Sequence, residues 1–341
     1  WRAASSVSAA GIVMDVHTGE MLAMTSLPDF DPNAIGADPA DNRFNRVTLG
    51  VYEMGSTFKA FNTALALDSG LVDIDDRFDA SKPIQFGRFT IGDFHGENRW
   101  LNVSEIFKYS SNIGSARMAL AVGSARQRAF LASLGLLERP AFELPERSLP
   151  LVPRQWGEIE TMTIAYGHGV AVSPLQIAAG VAAMTNGGLF VTPTVLRRTP
   201  GAPLPERRVI SPETSRIVRD LMRLVVTEGR ARKADVPGYP VAGKTGTAEK
   251  PRAGGYAHKA LLSSFVGVFP ADAPEYLVFV IIDEPKPTAE TFGYATGGWT
   301  AAPTTSRIVA RIAPMLGVEP RMPAPGAGAL PPPPLAAFEE H

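Results

Sequence analysis

Residues 260–269 read ALLSSFVGVF and residues 275–283 read EYLVFVIID, with Ala271-Asp272-Ala273-Pro274 between them. Two apolar, β-branched runs joined by turn residues spell adjacent strands. Just upstream, YPVAGKTGTAE at 239–249 reads as a third strand, and downstream the spacing of 301–316 suits a closing amphipathic helix. At the other end of the chain, VSAAGIVMDV (7–16) and EMLAMTS (20–26) flank His17-Thr18-Gly19-Glu20 and read as a hairpin.

Helices fill the middle. The pattern predicts one over 57–68, with Ser56 as its N-cap and Gly70 as its stop. Others are expected at 105–109 behind Ser104, at 113–122, at 124–134, at 174–185 from Pro174 to Gly187-Gly188, and at 211–228 with Pro212 in the first turn. Residues 28–47, 138–160 and 199–207 are loop-like, punctuated by Pro or Gly, and 80–99 are mixed, with Gly87, Gly92 and Gly96 between short apolar pieces. Strands at both ends with helices between them predict an α+β fold. The simplest assembly is one five-stranded antiparallel sheet from 7–26 and 239–284, flanked by helices, with an all-helical subdomain over about 56–230. A cleft between the two parts is a natural site. Residues 1–319 make this domain, and 320–341, rich in Pro, Gly and Ala, are expected to be a disordered or polyproline-like tail.

The chain has 341 residues, enough for a sizeable core. A net charge of −1 gives no basic field for nucleic acid. No cysteine is present, which removes thiol nucleophiles, disulfides and thiolate metal sites. No apolar run is long enough to span a bilayer, and no signal peptide is visible. Because the chain opens on Trp1 and reaches a strand-like segment almost at once, it is expected to be a fragment.

Three short motifs carry chemistry. In Ser56-Thr57-Phe58-Lys59 a helical turn brings the Lys59 amine onto the face of the Ser56 hydroxyl. A neutral lysine activates a serine as nucleophile, and burial or a second cation keeps a lysine neutral. In Ser110-Ser111-Asn112, Ser110 is placed to relay a proton to a leaving amine, and Asn112 to hold either a substrate carbonyl or Lys59. Lys244-Thr245-Gly246-Thr247 supplies the second cation, two hydroxyls for a carboxylate, and a glycine where substrate lies along the backbone. The amides of Thr247 and Ser56 are candidates for an oxyanion hole.

Each motif also has a plain reading. Ser-x-x-Lys and Ser-x-Asn each arise roughly once by chance in a chain of this size. Ser56 alone is a helix cap, Asn112 alone a helix start or turn, and Lys-Thr-Gly alone a strand end with a bulge. The three motifs together, each present once and in this order, are a different matter. The five histidines show no metal-ligand spacing, so neither metal nor cofactor is expected. Tyr166-Gly167-His168-Gly169 lacks a phosphate-loop pattern and reads as turns. Trp100, Trp156 and Trp299 read as core or cleft wall.

This motif set marks penicillin-binding proteins and class A β-lactamases. From about Ala9 to Glu319 the sequence resembles the transpeptidase domain of class B penicillin-binding proteins, most closely the division-specific FtsI type. Supporting segments are Val13 to Met24, Asn45-Arg46, Tyr52 to Lys59, Ser110 to Gly114, Tyr166 to Gly169 before Ser173-Pro174-Leu175-Gln176, and Ala242 to Ala248. Met54 departs from the pattern, standing where many relatives have proline.

The resemblance implies the penicillin-binding fold and a peptidoglycan D,D-transpeptidase that cross-links stem peptides ending D-Ala-D-Ala and is blocked by β-lactams. Catalytic roles then fall to Ser56, Lys59, Ser110 and Lys244, and substrate binding to Asn112, Thr245, Gly246 and Thr247. A septal glycosyltransferase of the FtsW type and other division proteins are implied partners. The implied location is the periplasmic face of the bacterial inner membrane, with an anchor outside this chain. Three alternatives remain. One is an elongation-specific paralogue. Another is a β-lactam sensor. The third is a β-lactamase, whose deacylating glutamate would come from Glu143, Glu146, Glu158 or Glu160, although none lies in a recognisable loop pattern.

Overall fold

The computed structural model describes residues 5–252 and 255–321. The hairpin is β1 (Ser8–Asp15) and β2 (Met21–Leu27), and the C-terminal strands are β3 (Ala242–Arg252), β4 (Gly255–Phe269) and β5 (Tyr276–Asp283). They form the expected five-stranded antiparallel sheet in the order β2-β1-β5-β4-β3. Ser8 faces Asp283 in register, so the two chain ends meet in the middle of the sheet.

Burial follows from this order. β5 is central, and its residues from Leu277 to Ile282 are all buried. A strand covered on both faces reads as a continuous apolar run rather than an alternation. The helices α6 (Pro174–Thr185) and α8 (Ala301–Met315) both pack on it. α6 is buried along its whole length, and a Cβ at Gly180 would come within 2.9 Å of the Phe61 ring. Its ends are as expected: Ser173 and Gln176 form a capping box, Pro174 occupies the first turn, and Gly187 and Gly188 turn the chain away at positive φ.

The helical part comprises α1 (Lys59–Asp68), α2 (Val103–Tyr109), α3 (Asn112–Val122), α4 (Ser124–Ser133) and α5 (Glu158–Ile164), with α7 (Pro212–Thr227) lying along β3. One apolar cluster runs through sheet and helices alike, from Met14 and Phe279 to Phe61 and Leu131. The helical part is therefore not a separately packed unit.

Local expectations need correction at four points. Ser56 is not an N-cap: residues Gly55–Phe58 form a 3-10 turn, and α1 begins at Lys59 with no side-chain cap. α2 is capped by Asn102, whose capping box with Glu105 satisfies two backbone groups, rather than by Ser104. Short strand pairs, Arg77–Asp79 with Trp100–Asn102 and Ile84–Phe86 with Phe89–Ile91, lie within the part expected to be all-helical. Trp100 is 55% exposed on one of them and is not core. The Pro-rich tail falls outside the described residues from 322 onward.

Candidate active site

The turn before α1 sets Ser56. In a 3-10 turn, side chains three residues apart eclipse, so Ser56 and Lys59 stack more directly than in an α-helix. Lys59 Nζ lies 3.0 Å from Ser56 Oγ. The turn is wedged between two backbones. A Cβ at Gly55 would come within 2.9 Å of Thr247 O, and one at Gly167 within 2.2 Å of Gly55 O. Both glycines have positive φ, 54° and 82°.

The second motif is bent around the Lys59 amine. α2 ends at Ser110, held in the left-handed region at φ 61°. This sparsely populated conformation turns both its carbonyl and its hydroxyl toward Lys59, at 2.5 and 3.1 Å from Nζ. Ser111 then N-caps α3, and Asn112 Oδ1 accepts from Lys59 Nζ at 2.7 Å. The Asn112 amide nitrogen donates to Gly92 O at 3.0 Å, which fixes the orientation of the amide. Of the two roles expected for Asn112, the geometry engages it with Lys59.

These contacts dictate what the amine does. A neutral lysine has two N–H groups and one lone pair. Ser110 O and the Asn112 amide oxygen are acceptors only, and they consume the two N–H groups. The lone pair is left for a hydroxyl proton, from Ser56 or from Ser110.

Lys244 completes the cluster from β3. It is fully buried, and its Nζ donates to Ser110 Oγ at 3.0 Å and lies 5.9 Å from the centre of the Phe107 ring. Ser110 Oγ thus bridges two amines. Burial holds Lys59 far below the usual lysine range, with the neighbouring charge of Lys244 acting in the same direction. Lys244 is pushed down to about 7, by burial first and then by Arg230. Near neutral pH, two amines and one serine share the protons of the site.

Burial alternates along β3: Lys244 and Gly246 are buried, and Thr245 and Thr247 are partly exposed. Gly246 is required for a reason other than the one the sequence suggested. Its missing side chain faces the protein, where a Cβ would lie 2.8 Å from Met54 O and 2.3 Å from Ser264 Oγ. Glycine here lets β3 approach the nucleophile turn. Thr247 Oγ1 accepts from Gly297 N at 3.1 Å, so the segment after β5 braces the strand.

Two features escaped the sequence reading. Asp93 accepts from Ser111 Oγ at 2.6 Å and from the amides of Asn112 and Ile113 at 2.5 and 3.0 Å. A carboxylate at the N-terminus of α3 satisfies orphan amides and fixes the Ser-Ser-Asn bend. The turn at 166–169, read as plain, buttresses the nucleophile. Gly169 N donates to Glu53 Oε1 at 2.9 Å, and His168 Nδ1 lies 3.6 Å from Glu53 Oε2. Burial depresses the basicity of His168, while Glu53 opposes the shift. Three of the four glutamates considered as deacylating bases are engaged elsewhere: Glu143 with Thr194 and Val195, Glu146 with Asn45, and Glu160 in the cap of α5.

The same architecture recurs in known proteins. The sequence profile of the penicillin-binding protein transpeptidase domain matches residues 9–310. The chain belongs to this family. The transpeptidase domain is 44% identical to "Probable peptidoglycan D,D-transpeptidase FtsI" of Caulobacter vibrioides, covering 91% of this chain and 54% of that protein. It is 34% identical to "Probable peptidoglycan D,D-transpeptidase PenA" of Neisseria meningitidis, covering 92% and 53%. The chain therefore spans about half the length of the curated relatives it matches. The apo transpeptidase domain of penicillin-binding protein 3 from Burkholderia pseudomallei superposes with a TM-score of 0.83 at 32% identity, covering 94% of this chain and 92% of that one. The resemblance in the sequence and the expected sheet are both borne out.

Proposed function

We propose that this domain is a D,D-transpeptidase of the FtsI type, acting on peptidoglycan stem peptides through an acyl-enzyme at Ser56. The observation that carries the reading is the chain Ser56 Oγ, Lys59 Nζ, Ser110 Oγ, Lys244 Nζ, with successive separations of 3.0, 3.1 and 3.0 Å. It gives a nucleophile, a base and a relay in one line.

In the first half-reaction Lys59 Nζ takes the Ser56 proton as Oγ bonds to the carbonyl carbon of the penultimate D-Ala. The C–N bond to the terminal D-Ala breaks, and its amine receives that proton through Ser110. The ester then reacts with an amine from a second stem. The new C–N bond forms, the amine gives up a proton through Lys59, and Oγ leaves and regains one. Thr245 and Thr247 offer hydroxyls to the terminal carboxylate. The amides of Ser56 and Thr247 suit the developing oxyanion, in keeping with the packing of Gly55 against Thr247 O. A β-lactam enters the same first step and leaves Ser56 blocked. The engagement of Glu143, Glu146 and Glu160 away from Ser56 favours a lasting ester over hydrolysis.

The likeness to FtsI supports a role at the division septum, on the periplasmic face of the inner membrane, beside a glycosyltransferase of the FtsW type and other division proteins. Intact-mass measurement after incubation with benzylpenicillin tests the chemistry. A persistent adduct is expected on the wild type and none on Ser56→Ala. Rapid release of hydrolysed penicillin would replace the reading with a β-lactamase. An adduct without transfer from a D-Ala-D-Ala donor to an amine would replace it with a sensor.

A further inference from the structure

Arg230 follows α7 and belongs to none of the three motifs. Its Nη2 donates to Phe94 O at 3.1 Å and to His95 O at 3.2 Å, the two residues directly after Asp93. Its own carbonyl packs on the segment after β5: a Cβ at Gly298 would lie 2.4 Å from Arg230 O, beside Thr245. Arg230 therefore ties together the segment that holds Ser111 and Asn112 and the segment that braces β3. Its positive charge also acts on both buried lysines.

We propose that Arg230 is a positioning residue for Ser56 acylation, acting through the 93–95 segment and through the effect of its charge on the amines of Lys59 and Lys244. The inference rests on the acylation reading above. A third cation close to two buried amines opposes their protonation, and only an unprotonated Lys59 can take the Ser56 proton. The groups facing Lys59 have opposing effects. Lys244 from β3 and Arg230 from the segment after α7 favour the neutral amine, and Asp93 favours the charged one. His168 approaches from the buttressing turn, paired with Glu53 of the segment before Ser56, and Glu97 acts on Arg230 itself. Burial is the largest influence, and the cation at Arg230 adds to it in the same direction. Its exposed position limits the effect through solvent screening.

The test is the rate of acylation by a fluorescent penicillin across about pH 5 to about pH 10. In Arg230→Gln the acid limb is expected to move up by roughly half a pH unit. Arg230→Lys keeps the charge with poorer hydrogen bonding, so it should react more slowly with its limb where the wild type has it. At about 1 M salt the separation between wild type and Arg230→Gln should shrink, as for a screened charge. Coincident rates for wild type and Arg230→Gln at every pH would overturn the inference while leaving the acylation reading intact. A wild type that is never acylated would sink both.

Discussion

Asp93 holds Ser111: the Ser111 hydroxyl donates to Asp93 Oδ2 at 2.6 Å, and the other carboxylate oxygen takes the amides of Asn112 and Ile113. The bend that presents Ser110 and Asn112 to Lys59 depends on this bracket. Asp93→Ala is expected to destabilise the domain by about 2 kcal/mol, the scale of lost hydrogen bonds to a charged group. Acylation should fall well beyond what partial unfolding explains. Denaturant melts paired with penicillin labelling would check this; wild-type labelling in the variant would refute it.

Lys59→Met keeps volume and removes the proposed base. Acylation should drop by at least about 100-fold, the lower end for loss of a positioned general base. Circular dichroism should show the fold retained. Labelling within a few-fold of wild type would assign the proton transfer elsewhere.

Lys244 makes stability depend on pH. A lysine buried and pushed down to about 7 binds fewer protons folded than unfolded between pH 7 and its ordinary value of 10.5. Over that window stability rises with pH, and below pH 7 the penalty is fully present, on the order of 4 kcal/mol. Lys244→Met should therefore lose acylation yet gain stability near neutral pH, with a flatter rise in Tm toward alkaline pH. Parallel Tm-against-pH curves for the two proteins would contradict this.

Gly167→Ala places a methyl group 2.2 Å from Gly55 O in a residue at φ 82°. Strain and overlap together should cost at least about 2 kcal/mol and displace the nucleophile turn. Thermal melts and labelling should both fall. A normal rate would mean that the turn at 166–169 does not position Ser56.

Long elements were legible because pattern accumulates over their length. α6 begins at Pro174 and ends at Thr185 as read, since proline and double glycine agree with the apolar run between them. Strands of three residues, such as Ile84–Phe86, carry too little alternation to be seen. Ser56 looked like a cap because a 3-10 turn and a helix start share the same local signals. The motifs marked Ser56, Lys59, Ser110, Asn112 and Lys244 through residue type and order, and the fold brings these side chains together. Asp93 and Arg230 had no such signal. Asp93 is a lone acid in a Gly-rich stretch, and its partner Ser111 is 18 residues away. The purpose of Gly246 was misread because the face of a strand that meets another element depends on tertiary packing.

The pairing of Ser8 with Asp283 has a consequence for synthesis. The central strands come from opposite ends of the domain, so the sheet cannot close until nearly all of it has left the ribosome, and contacts so distant in sequence form slowly. Until β3 docks, Ser56 lacks the amine of Lys244 and its relay is incomplete. On the proposed acylation at Ser56, capture of a β-lactam is thus a late event in the life of each molecule, and a labelled drug added to nascent chains should count only finished ones.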